Sequence, residues 1–210
     1  MSEALTSVHG RRLGIDSSKN LVMDGKIVVA AGTTGAKNGT TVAVEERGNG
    51  ILNQTILTCT ATPITFTDDP GVAQYGGVKV YDFPAGLIVT MGAVIDGSLT
   101  LTEAAWTDTF DGDVSLGTVT ATTGNTLVST EADIMISNAM TQAVGQVANC
   151  DAVSSATQVT ESAALWADGT TTAKDCYLNF LIDDAAAHTD QDGGTFTGTI
   201  TITWMNLGDN

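Results

Sequence analysis

The sequence predicts an all-β protein, a jelly-roll-like β-sandwich with an extended N-terminal arm. Apolar or alternating runs recur along the chain, about ten of them at spacings near ten residues, as in sandwiches and jelly rolls. Gly-rich turns separate these runs, and no alternation of strand and helix units marks an α/β fold. Composition agrees: of 210 residues 42% are hydrophobic and only 15% charged, with Thr, Gly, Ala and Val abundant, which suits short-turned sheets. No internal repeat of fixed period points to a solenoid or propeller.

Taken in order, residues 1–25 lack sustained periodicity and mix polar, Gly and basic residues, so they read as an arm that orders on a surface. Residues 26–210 read as a single sandwich domain. Apolar runs at Lys26–Ala31, Thr41–Val44 and Ile51–Ala61 are separated by the turns GTTGAKNGT and ERGNG and start the first sheet. Further strands are expected at Pro63–Thr67, Gly77–Phe83 and Val114–Thr122. Between them, Gly86–Ile95 and Ser98–Glu103 flank Asp96-Gly97, and Asp-Gly supplies the positive φ angles of a type I′ turn, so a hairpin is expected there. Asn138–Ala148, without proline, reads as one short helix that Gly145 weakens.

The C-terminal stretch is the most informative. Cys176, Leu178, Phe180 and Ile182 alternate inward in one strand, and an acidic loop with a Gly193-Gly194 pair leads to the last one. There Phe196, Gly198, Ile200, Ile202 and Trp204 fall on one face and Thr195, Thr197, Thr199, Thr201 and Thr203 on the other. That strand is half-buried, with hydroxyls on its outer face.

The net charge is −16 and the pI near 4.1, which argues against nucleic acid, since phosphate binding requires clustered Lys and Arg. The charge is also uneven. Arg11, Arg12, Lys19, Lys26, Lys37 and Arg47 oppose five acidic residues before position 48, giving +1 for residues 1–47 and −17 for the rest, where Lys79 and Lys174 are the remaining cations. No signal-like n-region or apolar run near the roughly 18 residues of a membrane helix occurs, so the expectation is a soluble protein outside the usual export route. Cys59, Cys150 and Cys176 lack CxxC spacing and are expected as reduced thiols, the first and last acting as small apolar strand residues.

Chemistry-bearing motifs are sparse. His188 lies among Asp183, Asp184, Asp190 and Asp192, an imidazole–carboxylate neighbourhood of the kind hydrolases use, yet the chain has no GxSxG elbow; a solvated acidic loop is the reading taken. Asp108, Asp111 and Asp113 in TDTFDGDV could suit a hard cation, but the order departs from an EF-hand loop and turn-forming aspartates explain them. No phosphate-binding loop or dinucleotide fingerprint occurs. Trp204 is read as core, whereas Trp106 and Trp166 are candidates for an oligomer interface or a sugar platform. No catalytic residue, metal or cofactor is expected.

DGTTTAKDCYLNFLIDD (168–184) and GTITITWMNLGD (198–209), together with VKVYDFPAGLIVTMGAV (78–94) and WTDTFDGDVSLGTVTATTGN (106–125), resemble small virion structural proteins of tailed bacteriophages that decorate or cement the capsid. The resemblance spans most of residues 75–210. It implies a non-enzymatic protein of the virion surface, assembled in the host cytoplasm, homotrimeric and bound to the major capsid protein, with no membrane partner. The arm, through His9, Arg11, Arg12 and Lys19, is the expected capsid-binding element. The competing readings are a fibre or adhesion module binding host glycans, a secreted adhesion domain and, least, an enzyme.

Overall fold

The structure, a computed structural model, describes residues 4–5, 12–15, 21–24, 35–48, 52–67, 73–101, 110–122, 126–144, 147–154, 166–168, 174–182 and 193–207. The elements are almost all strands: β1 (Ala4–Leu5), β2 (Arg12–Ile15), β3 (Leu21–Asp24), β4 (Ala36–Lys37), β5 (Val42–Gly48), β6 (Leu52–Thr65), β7 (Gln74–Asp82), β8 (Leu87–Leu101), β9 (Gly112–Gly117), β10 (Met135–Ala139), β11 (Thr141–Val144), β12 (Val147–Asn149), β13 (Ala152–Val153), β14 (Trp166–Asp168), β15 (Asp175–Ile182) and β16 (Gly193–Asn206). One 3₁₀ turn, Ser129–Glu131, is the helical element among the described residues, and no helix there is long and apolar enough to cross a membrane.

Two antiparallel sheets form the body. One has the order β10-β9-β15-β7-β4, and the other β11-β12-β8-β16-β6-β5, with β13 and β14 also lying along β8. The chain behaves as a ribbon folded back on itself: β6 pairs with β16, β7 with β15, β8 with β12 and β9 with β10. Rolling that ribbon joins β16 to β8 and β15 to β9, which places β6-β16-β8-β12 in one sheet and β7-β15-β9-β10 in the other. This is the jelly-roll arrangement, with β5 and β4 as added edge strands.

The predicted alternation of β16 holds along its length: Phe196, Ile200, Ile202 and Trp204 are fully buried, and the threonines between them are partly or fully exposed. In β15 the inward set Cys176, Leu178, Phe180 and Ile182 is fully buried too. The β15 set faces those of β16 and, from the same larger sheet, Leu57, Cys59, Ile88, Ile95 and Leu99 in one continuous core. Aromatic rings bridge the layers, with Tyr81 edge-on to Phe83 (centroids 5.2 Å apart) and Phe83 edge-on to Trp204 (5.5 Å).

Three local expectations are overturned. Gly86–Glu103 is not a hairpin; β8 runs straight through Asp96-Gly97. A two-residue turn would have put Ile95 opposite Ser98 on one face, whereas an uninterrupted strand keeps Ala93, Ile95, Leu99 and Leu101 together, all buried. Gly97 is needed for proximity instead. It stands opposite Gly198 of β16, and a Cβ there would lie 2.7 Å from the Phe196 ring and 2.9 Å from the Gly198 Cα. Asn138–Ala148 is not a helix either. It supplies the end of β10, then β11 and β12, which pair antiparallel with each other, and Met140, Ala148 and Cys150 are buried in the core. Finally, Pro63–Thr67 is not a separate strand but the continuation of β6. A bulge near Ala61 (φ 47°) re-aims that strand, and Pro63 lies beyond the point, opposite Cys59, where β5 stops pairing.

Within the expected arm, the described strands β1, β2 and β3 form a three-stranded sheet in the order β1-β2-β3, and among the described residues no pairing links it to the two sheets of the body. Lys26–Ala31 lies outside the described residues.

The Gly97–Gly198 contact makes a prediction. Gly198→Val, whose Cβ would fall 2.4 Å from the Asp96 carbonyl oxygen, should cost about 2–3 kcal/mol or more by overpacking, while Thr199→Ala should stay near 1 kcal/mol or less. Urea denaturation of the two variants against the parent measures both.

Candidate functional site

Most of the residues singled out by sequence lie outside the described residues. Of the basic set, Arg12 lies in β2 in register with Asp24 of β3, and His9, Arg11 and Lys19 lie outside the described residues. Trp166 is in β14 opposite Val89 of β8, and Trp106 is outside. His188 with its acidic loop and Asp108 are likewise outside. Asp111 and Asp113 flank the start of β9, and among the described residues no group of three or more His, Cys, Asp or Glu is arranged to hold a metal ion. Trp204 is core, as expected, with its indole N–H donating to Thr55 Oγ1 at 2.9 Å.

Three polar clusters that sequence reasoning missed carry the electrostatics instead. The first closes one edge of the sandwich. Tyr81 of β7 donates its hydroxyl to Glu46 Oε1 of β5, and the Gly35 N–H donates to both the Tyr81 oxygen and Glu46 Oε1, each at 3.0 Å. Burial, reinforced by the Glu46 carboxylate, pushes the Tyr81 phenol far above its ordinary value, so it acts as a fixed donor.

The second lies on the outer side of the β7-β15-β9 sheet. Alternation sends Asn179 away from the core, and yet it is fully buried because residues 118–122 and 126–134 cover it. Its Nδ2 donates to the carbonyls of Val119 (2.9 Å) and Glu131 (2.8 Å), and its Oδ1 accepts from the Ala121 N–H at 2.9 Å. Ser115 adds a hydroxyl bond to the Glu131 carbonyl. The Glu131 carboxylate accepts from the Thr122 N–H and hydroxyl at 2.7 and 2.6 Å, and Asp133 does the same for Thr118 at 2.8 and 2.7 Å. Burial raises the Asp133 pKa against the lowering effect of Thr118. A small apolar group, Ala121, Leu127 and Leu181 with Ala73 and Tyr75, seals the same covering segment.

The third is an ion triad on that sheet. The Lys79 ammonium lies 2.5 Å from Asp82 and 2.9 Å from Asp175, and the two hydrogen bonds, Asp82's first, raise its pKa. Burial works against the charged form of both carboxylates. It prevails at Asp82, whose pKa is raised, whereas at Asp175 the ammonium overrides it and the pKa is lowered. The triad is part-exposed, so its contribution to stability is modest.

Each cluster is saturated by its own backbone and side-chain partners, and such arrangements fix geometry. The three cysteines are buried free thiols, with burial pushing Cys150 up to about 12 and also raising Cys59 and Cys176.

Two predictions follow from these groups. Asn179→Leu would leave the buried Ala121 N–H and the part-buried Val119 carbonyl without their Asn179 partner and take one of two donors, the other being Ser115, from the Glu131 carbonyl, so a loss of about 2–3 kcal/mol is expected, with faster cleavage within 118–134 in limited proteolysis. Stability should also fall on the alkaline side. The native state keeps Cys59, Cys150, Cys176 and Tyr81 protonated where the unfolded chain ionises, at about 8.5 for thiols and 10 for phenols, so their contribution is intact below about pH 8.5 and is lost as pH rises toward the folded values. The melting temperature should hold steady from pH 7 to 8 and then drop. Replacing all three cysteines by Ala should flatten the decline until phenol ionisation begins near pH 10.

Compared with known proteins, the chain matches no family model and no curated protein. Among solved structures it is similar to one described as "Structure of infectious bursal disease virus Gx strain", with a TM-score of 0.30 and 9% identity over 100% of this chain. The chain spans 40% of the length of that chain.

Proposed function

We propose that this chain is a non-enzymatic structural protein of a tailed-bacteriophage virion, a homotrimer that decorates the capsid and cements it by binding the major capsid protein. The observation that carries the proposal is where the resemblance falls on the fold. The segments 78–94, 106–125, 168–184 and 198–209 contain the whole of β9 and β15 and most of β8 and β16, the central strands of the jelly roll. The likeness is thus one of framework, and jelly rolls recur in viral capsid proteins. The polar clusters described above, each spent on holding the sandwich together, are consistent with a structural role.

The mechanism is additive. A shell under internal pressure fails at the junctions between subunits, and a protein that spans a junction adds interface area and multivalent attachment without chemistry. The charge division fits: an acidic body at −17 beyond residue 47 stays dispersed, and the N-terminal 47 residues at +1, with Arg11, Arg12 and Lys19, can pair with carboxylates of the shell. A glycan-binding fibre module is the second reading, since lectins also use this fold. A glycan array in which signal depends on Trp106 and Trp166 would favour it.

Adding the parent protein or Arg11→Ala/Arg12→Ala to particles that lack it, at low and high salt, tests the attachment. Charge-assisted contacts of about 1.5–3 kcal/mol each predict a marked loss of occupancy for the double variant and a weaker salt dependence. Equal binding at both ionic strengths would move attachment to the β body.

A further inference from the structure

The outward side of the larger sheet is unlike the rest of this acidic molecule. Its register aligns Ile56 of β6, Thr201 of β16, Val94 of β8 and Val153 of β13 in one row across four strands. Val94 is 45% exposed, Val153 56%, and the neighbouring Met91 58%. The threonines of β16 fill the middle with short uncharged side chains. Among outward positions whose side chains are described, the charges of the long strands and β5 are Glu45 and Arg47, paired with each other at 2.9 Å, and Asp96. The other sheet carries Asp82, Asp113 and Asp175 with Lys79 on its outer side.

Depletion of charge with retention of exposed apolar groups is the composition of an interface core. The occupant follows from charge and area. A chain at −16 repels its own copies wherever carboxylates would meet, so copies can approach only through a surface that has shed them. A strongly charged partner would instead be met by complementary charge, which this face does not offer. β6, β8 and β16 run 14, 15 and 14 residues. At ~3.3 Å per residue and ~4.8 Å per strand, the β5-β6-β16-β8 face covers on the order of 800 Å², the area each partner contributes to an ordinary stable interface.

We propose that the outward face of the β5-β6-β16-β8 sheet is a self-association surface on which a second copy of this chain packs, with Val94 and Thr201 near its centre. Packing like face on like face is a two-fold contact, separate from the three-fold contacts of the homotrimer proposed above, and it leaves the acidic faces of the two copies apart. The inference rests on the sheet's own residues and holds whether or not the protein binds a capsid.

Sedimentation of the full chain at micromolar concentration tests it, with Val94→Glu, Thr201→Lys and, as a control on the covering segment of the other sheet, Val128→Glu. Val128 is 55% exposed, so its substitution adds the same charge elsewhere. The expected result is an oligomeric parent, association at least about tenfold weaker in the first two variants with unchanged circular dichroism, and no change in the third, because an unpaired charge in an interface must be desolvated. A monomeric parent, intact assembly of both Val94→Glu and Thr201→Lys, or equal dissociation by Val128→Glu would each overturn the proposal. A monomeric parent whose binding to particles is lost in Val94→Glu would assign the face to a different protein.

Discussion

The insertion of β16 between β6 and β8 is the interaction on which the rest of the structure depends. The last strand of the chain supplies both hydrogen-bonding edges at the centre of the larger sheet, in ladders that run from Gly193 or Gly194 to Met205 or Asn206. Every inward side chain of β16 that is larger than glycine, Phe196 to Trp204, is buried. Without it, β6 and β8 would each expose an unpaired edge, and the core would lose its widest aromatic. The paired strands are separated by roughly the whole length of the body, so forming this sheet requires long-range closure before the contacts stabilise anything. A ribbon that rolls in this way is expected to fold slowly for its size.

Close approach of backbones sets the next constraint. β16 can lie against β8 at Gly97 and Gly198 because neither carries a side chain, and the ring of Phe196 occupies the space that a Cβ would take. The bulge near Ala61 then turns β6 so that its far end, with Ile64 and Phe66, caps the core. These local irregularities give a long sheet the curvature a sandwich requires.

The two sides of the sandwich end up chemically different for an identifiable reason. The smaller sheet is covered by residues 118–122 and 126–134, held by Asn179, Ser115 and Glu131, and its remaining outer surface carries the Lys79 triad. The larger sheet keeps a threonine-lined, nearly uncharged face. A molecule whose charge is distributed in this way has one side suited to solvent and one suited to contact, and this asymmetry is what the self-association surface draws on.

Much of the fold was legible in the sequence by itself. Period-two alternation determined the identity and the buried face of β15 and β16, the sandwich class, and the core position of Trp204, because burial on one side of a strand imposes that period directly. The tertiary structure decided whatever depended on a distant partner. Asp96-Gly97 is a turn signal locally, but the phase shared by Ile95 and Leu99 and the approach of Gly198 make it mid-strand. Asn138–Ala148 has the composition of a helix, but open sheet edges recruit it as strands. Asn179 stands on what alternation marks as the solvent face and is buried because a segment some 50 residues away in sequence folds over it, as its bonds to Val119 and Glu131 show. Alternation says which face a residue takes, and only the packed structure says what lies against that face.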